Sequence, residues 1–550
     1  MKRRDFLLGA AAMGVGACRP QQEPPLPPTT WIADAAPRGH RLRDGVGVVA
    51  ATETLRTKVL IAGAGIGGLS AAWWLDQRGV DDYLLLEMLG ESGGNARAGR
   101  NAISEFPLAA HYLPLPTRES ASLRELLAQL GAIESDPQGE RPRYAEHLLC
   151  AAPQERLYIH GHWQDGLVPE AGLAAREREQ IRRFHDRMQA LAAPRGGRKP
   201  FALPSHLGAA DADLLALDRL SMRDWMLAEG FDSPALHWYV DYACRDDYGT
   251  HAARTSAWAG IHYFASRDGL GERAAADEVL TAAGGNAWIA RGLAARVSGR
   301  LRSGHTVLSA TREREGWSVL VATAAGSMLR VVAQNVIWAG PLFVAALVLG
   351  GLPEAALGYA RGLEYAPWVL AQLSLREMPQ DRQGAPLSWD NVFYGSGALG
   401  YAVATHQNFR LRPAPSVWTW YCALDDLPAR EARRRLLADE PGTWARRALQ
   451  DMAQAHPDIA AHVQRIDCVR HGHAMCRPMP GFLTAAGRAW FAQGEADLQF
   501  AHADVSGFSL CEEAHDRGVR AAERIARRLR GPSPLADLLG GDVGRWGALP

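Results

Sequence analysis

Lysine is nearly missing from this 550-residue chain: Lys2, Lys58 and Lys199 are the whole supply, and arginine carries the rest of the 60 positive charges. An excess of either charge is missing too, because Asp plus Glu also come to 60. No global field therefore draws the protein to nucleic acid or to an anionic membrane. Cysteine is scarce, with seven residues and no C-x-x-C pair, so neither a zinc motif nor a dithiol redox motif is present and no metal is expected. Internal repeats and a Ser/His/Asp-type motif are also absent. The longest apolar run, residues 331–352, is broken by Gln334, Asn335 and Gly340-Pro341. It reads as strand, turn and a helix with Pro at its first position, not as a membrane span. What is present is ordinary globular material, 47% hydrophobic and 22% charged. The length suits two or three domains or one large two-domain enzyme.

The first 18 residues read as a signal. Arg3-Arg4-x-Phe6-Leu7 resembles the twin-arginine export signal, and Phe6–Ala17 is too short to cross a bilayer, which takes about 20 residues. Val15-Gly16-Ala17-Cys18 resembles a lipobox, in which Cys18 would be lipidated and tether the mature chain to the membrane. The Pro-rich stretch that follows suits an extended tether. The expected destination is the periplasm. Twin-arginine export moves folded proteins, so a cofactor absent from that compartment is inserted beforehand.

Lys58-Val-Leu-Ile-Ala62 is an apolar run, Gly63-Ala-Gly65-Ile-Gly67-Gly68 follows it, and helix-compatible residues continue from Leu69. A G-x-G-x-x-G between strand and helix is a dinucleotide fingerprint. Gly63 permits the tight turn, Gly65 lets backbone approach a pyrophosphate, and Gly67 and Gly68 open the helix, Gly68 allowing it to pack closely on the strand. A second apolar run, Tyr83-Leu-Leu-Leu-Glu87, ends in an acid suited to the ribose hydroxyls and hostile to a 2′-phosphate.

Three further segments decide which dinucleotide. Gly93-Gly94-Asn-Ala-Arg97 resembles the stretch that follows the ribose acid in flavin-containing amine oxidases, where an arginine pairs with phosphate. Ala283-Gly-Gly-Asn286 with Leu293, Thr306-Val307 and Val336–Pro341 resemble that superfamily's middle section, in which Val307 would hold adenine through its backbone. Leu498–Gly507 resembles its closing motif, with Asp504 and Gly507 toward the ribityl–phosphate region and a helix over 512–529 aimed at the flavin. The chain thus resembles the amine oxidase/phytoene desaturase superfamily. The resemblance implies FAD, an α/β fold with a discontinuous Rossmann-type domain on a parallel central sheet, and an inserted α+β substrate domain. The expected pieces are the signal (1–18), a tether and N-terminal extension (19–54), FAD-binding parts at 55–115, 276–345 and 486–530, substrate parts at 116–275 and 346–485, and a tail (531–550). A pyridine-nucleotide disulfide reductase would show a second G-x-G-x-x-G and a redox cysteine pair, and neither occurs.

Flavin chemistry asks the protein mainly to position a C–H bond and exclude water. His111 and Tyr112 lie where superfamily members pass close to the ring, and they either line the site or pack beneath the cofactor. His473 stands where relatives often carry Trp. It shares one strand side with His471, without the further ligands a metal would need. Trp418, Trp420 and Tyr421 form either an aromatic cage for a cation or plain core. Many amine oxidases place a lysine on a substrate-domain strand, bridged by water to the flavin; the matching stretch, residues 365–376, has none. The leading expectation is an FAD-dependent oxidoreductase taking hydride from a small organic substrate, an amine or polyamine, with its electron acceptor undetermined. The alternatives are a desaturase or isomerase of an apolar substrate and a low-turnover flavoprotein scaffold tethered to the envelope.

Overall fold

The computed structural model describes residues 25–44, 50–275, 277–314, 316–408 and 412–540. The signal, Cys18 and the tail from 541 lie outside them. Five strands run parallel in the order Leu301–Ser303, Tyr83–Glu87, Glu53–Ala62, Met328–Trp338 and Leu498–Phe500. The antiparallel hairpin His305–Glu313 and Gly316–Thr323 pairs with the first half of Met328–Trp338, so the sheet is mixed at that edge. The first strand starts at Glu53, ahead of the apolar run, because Glu53–Thr57 pair with Leu329–Ala333 outside the core.

Both faces of this sheet are covered, which is why its central strands read as unbroken apolar runs. Val59 and Ile61 pack against the Ile66–Gln77 and Cys511–Arg530 helices. Leu60 and Ala62 pack on the other face with Trp338, Leu342 and Val348. Pro341 is the N-cap of the Leu342–Val348 helix and not its first residue, one position earlier than the sequence suggested.

An eight-stranded sheet forms the second body, ordered Thr29–Trp31, Val463–Cys476, Tyr365–Leu375, Ser416–Ala423, Gly400–Val403, Asp390–Phe393, Glu155–Ile159 and His162–Asp165. Its back face buries Val369, Ala371, Trp418 and Trp420 beneath the Ala429–Ala438 and Pro441–Met452 helices. Its front face carries Trp368, Leu370 and Tyr421 toward the dinucleotide body and toward Tyr242 of the Pro234–Tyr248 helix. A helical cluster built from Ala175–Ala192, Met222–Ala228, Pro234–Tyr248 and Ala257–Ala265 closes the remaining side.

Candidate active site

The glycine-rich turn is built as a cradle. Gly63 sits at φ +109°, and a Cβ there would lie 3.0 Å from the Ala339 backbone. Gly67 is closed off more tightly, its Cβ position 1.9 Å from the Ala501 carbonyl oxygen, and Gly68 meets the Gly63 oxygen at 1.9 Å. Gly65 differs from these three. Its Cβ position faces open space, with only the Gly94 Cα nearby at 3.9 Å. Gly65 is the N-cap of the Ile66–Gln77 helix and no side chain caps it, so the first amide N–H groups point into that space.

Gly93 and Gly94, at φ +117° and +56°, bring a second loop alongside, joined by Gly93 N–H to the Ala64 carbonyl at 2.7 Å. Arg97 follows, anchored by Nε–H to the Gly94 carbonyl at 3.0 Å, with no other hydrogen-bond partner among the described residues. Glu87 accepts from the Ala64 and Leu89 amides, 2.9 Å each. Burial nonetheless raises its carboxyl above the ordinary range. Gly304 N–H donates to the Leu89 carbonyl at 2.8 Å, which sets the strand bearing Val307 beside Glu87. Bare backbone at a helix N-terminus, an arginine and a ribose-suited acid make a donor set that fits FAD.

Asp504 faces inward. Its Oδ2 accepts from the Leu342 amide at 3.0 Å and from the Tyr365 hydroxyl. Burial opposes ionisation there, but His502, Tyr365 and the Leu342 amide together hold the carboxyl below its usual value. Gly507 is at φ +91° with a Cβ position 2.4 Å from the Phe482 ring, so packing alone demands glycine.

His111 and Tyr112 lead from the crevice into an internal cavity. His111 turns Nδ1 to the Ala109 carbonyl, which assigns the ring proton there. Its Nε2 is buried with no hydrogen-bond partner among the described residues, and burial pushes the imidazole down to about 4. Its ring stands edge-on to Tyr421 at 4.8 Å. The Tyr112 hydroxyl faces Asp246. His111, Tyr112, Asp246, Tyr263 and Arg267 are surrounded by protein yet keep part of their surface open, so they line a cavity.

Three carboxylates that the sequence analysis missed face this cavity. Ser233 caps and Gly249 (φ +59°) stops the Pro234–Tyr248 helix, so Asp246 falls in its last turn, where the helix dipole disfavours negative charge. Asp390 and Glu155 sit directly opposite each other on neighbouring parallel strands, an arrangement that is destabilising for like charges. Asp390 accepts from the Tyr421 hydroxyl at 3.1 Å. Burial, followed by neighbouring carboxylates, raises Asp390 well above its ordinary value and pushes Asp246 and Glu155 up to about 7. Burial and Asp247, Tyr112 and Tyr263 bear on the one cation here, Arg267, which is already committed to a salt bridge with Asp247. Among the described residues none of the other three acids has a salt bridge. An acid in a helix's last turn, against its dipole, was a signal available in the sequence; the Asp390–Glu155 register was not.

Other candidates fall outside this cluster. Trp418 and Trp420 lie in the core behind the sheet, Trp420 donating to Asp451 at 2.9 Å, and so form no cage; strand alternation leaves only Tyr421 on the front. His471 Nε2–H donates to the Leu108 carbonyl at 2.8 Å. His473 stacks on Phe343 at 4.5 Å with its other side open, so the two histidines do not converge on one ion.

A family model described as flavin containing amine oxidoreductase matches residues 66–526. The chain belongs to this family. It is an FAD-dependent oxidoreductase, with the crevice at Gly65 where its dinucleotide fits. The fold is similar to putrescine oxidase bound to putrescine, at 16% identity and TM-score 0.63, covering 87% of this chain and 100% of that one. Cyclohexylamine oxidase from Brevibacterium oxydans IH-35A gives 17% and 0.61 over 86% and 99% of the two chains. A CLA-producing fatty acid isomerase from P. acnes gives 14% and 0.58 over 84% and 97%. No match was found among curated protein sequences.

Proposed function

We propose that this flavin-containing amine oxidoreductase oxidises an amine whose ammonium group is received by the acidic cavity. The observation that carries the reading is the trio Asp246, Asp390 and Glu155, gathered together with no salt bridge to any of them among the described residues. Such a group is costly on its own and becomes favourable when a positive charge enters. Bound FAD supplies the hydride acceptor. The chain's own part is then to hold the substrate: the carboxylates bind the cation, and His111, Tyr112 and Tyr263 shape the space beside them. The flavin containing amine oxidoreductase family agrees with this; the two amine oxidases and the isomerase share the fold.

The Tyr365–Leu375 strand turns Ala366, Trp368 and Leu370 inward and offers no lysine. Lys199 is engaged elsewhere, with Glu119 and Asp268. We therefore propose an electron acceptor other than oxygen. The arginine pair and lipobox-like segment support export by the twin-arginine route with FAD already bound, and anchoring through Cys18. Anaerobic mixing with monoamines, diamines and apolar alkenes tests the reading. Amines are expected to bleach the flavin and air to reoxidise it slowly compared with an artificial acceptor. Bleaching by alkenes alone would overturn the assignment.

A further inference from the structure

Just beyond the C-terminal end of the Pro234–Tyr248 helix, a second group of side chains converges without any role in the site above. The helix stops at Gly249, and the loop after it carries His251. The Ser416–Ala423 strand ends just before Asp425 and Asp426. His251 Nε2 lies 3.8 Å from Asp425 Oδ1 and 3.9 Å from Asp426 Oδ1. One ligand atom from each of the three lies within 4.8 Å of the others. We propose that His251, Asp425 and Asp426 bind a divalent transition metal of the zinc type.

Three observations support a metal over a simple ion pair. First, the Asp425 side chain is only 1% exposed, yet its Oδ1 has no hydrogen-bond partner among the described residues. Its other oxygen is taken by Arg245 Nε at 2.6 Å. A buried carboxylate oxygen left unpaired is expensive, and separations of 3.8 and 3.9 Å are too long for a protonated His251 to satisfy either acid.

Second, His251 Nδ1 contacts Asp241 Oδ2 at 2.9 Å. That carboxylate accepts from Nδ1–H and turns Nε2 toward the two acids, the outer-shell arrangement that orients metal-bound histidines. Third, the geometry suits a small tetrahedral ion. Bonds of about 2.1 Å place neighbouring ligands about 3.4 Å apart, so the two histidine–acid separations need to shrink by about 0.4–0.5 Å and the remaining acid–acid separation by up to about 1.4 Å, which the exposed Asp426 side chain can supply by turning. Asp241, Asp425 and Asp426 outnumber Arg245 and Arg477, leaving net negative charge around the imidazole. Asp426, 68% exposed, leaves the fourth position to water. A metal here would pin the loop after the helix to the end of the strand and brace the turn that carries Asp246.

The test uses the FAD-loaded full chain, without a histidine tag and stripped by chelator. Zinc chloride is titrated by calorimetry, and cobalt is added to look for tetrahedral visible bands at longer wavelength than the flavin. One equivalent of zinc is expected, with at least tenfold weaker binding in His251→Gln and in Asp426→Asn. Asp426 is exposed, so that variant keeps its fold, checked by circular dichroism and flavin content. The proposal falls if the wild type takes up no stoichiometric zinc, or if either variant stays within tenfold of it.

Discussion

Gly65 and Gly67, two positions apart, answer different demands with the same missing side chain. Nothing but the Gly94 Cα lies within 4 Å of a Cβ placed at Gly65, so the fold accepts a side chain there, whereas a diphosphate held against that turn would not. Gly65→Asp is expected to fold with a melting temperature near that of the wild-type apoprotein and to be purified colourless. A carboxylate would meet phosphate charge at contact distance. A yellow Gly65→Asp protein would remove the cofactor from this crevice. Gly67→Ala should do the reverse. Its methyl would meet the Ala501 carbonyl at 1.9 Å, and the expected loss is about 1–3 kcal/mol or more, read from denaturant unfolding. The fingerprint was legible because a strand–turn–helix leaves few residue choices at each of these positions. Asp504 was legible as a motif residue, but its turn toward Leu342 and Tyr365 was not, since the partners come from distant parts of the chain.

Among the elements, the N-terminal extension has a consequence that its composition conceals. Thr29–Trp31 adds a parallel strand to the edge of the substrate sheet, beside Val463–Cys476. Asp34 then pairs with Arg470 at 2.6 Å, and the Ala36–Asp44 helix follows. Arg38 donates to the Met88 carbonyl at 2.8 Å, immediately after Glu87. This segment therefore ties the substrate sheet to the ribose end of the dinucleotide crevice. Deleting residues 1–44 is expected to speed FAD release several-fold, followed by the rise of flavin fluorescence on dilution, with the far-ultraviolet circular dichroism retained. Unchanged release would mean that the segment does not restrain the cofactor. Residues 429–452 form two helices, Ala429–Ala438 and Pro441–Met452, because Pro441 cannot continue the first and suits the first turn of the second.

The acidic cavity belongs to the whole molecule, since a helix and two strands from distant segments each contribute one carboxylate. Asp246, Asp390 and Glu155 interact, so they titrate as a group rather than singly. Their folded values lie above the unfolded ones of about 4. The substrate-free protein is thus best supported by them below about pH 4 and loses that contribution as the pH rises through about 7. A bound ammonium reverses the balance. Amine affinity is therefore expected to strengthen from pH 6 to pH 8 and to weaken at least tenfold in Asp246→Asn, with a flatter pH profile. Amine titrations followed by flavin absorbance check this, and an unchanged profile in the variant would exclude Asp246 from cation binding.

Residue order alone determined the dinucleotide turn, which rests on contacts within one strand–turn–helix unit, and the class of cofactor and α/β character of the chain, which rest on short motifs recurring in a fixed order. Tertiary structure decided where the substrate's charge would be met. Glu155 and Asp390 are 235 positions apart and become neighbours only through strand register, which no local pattern encodes.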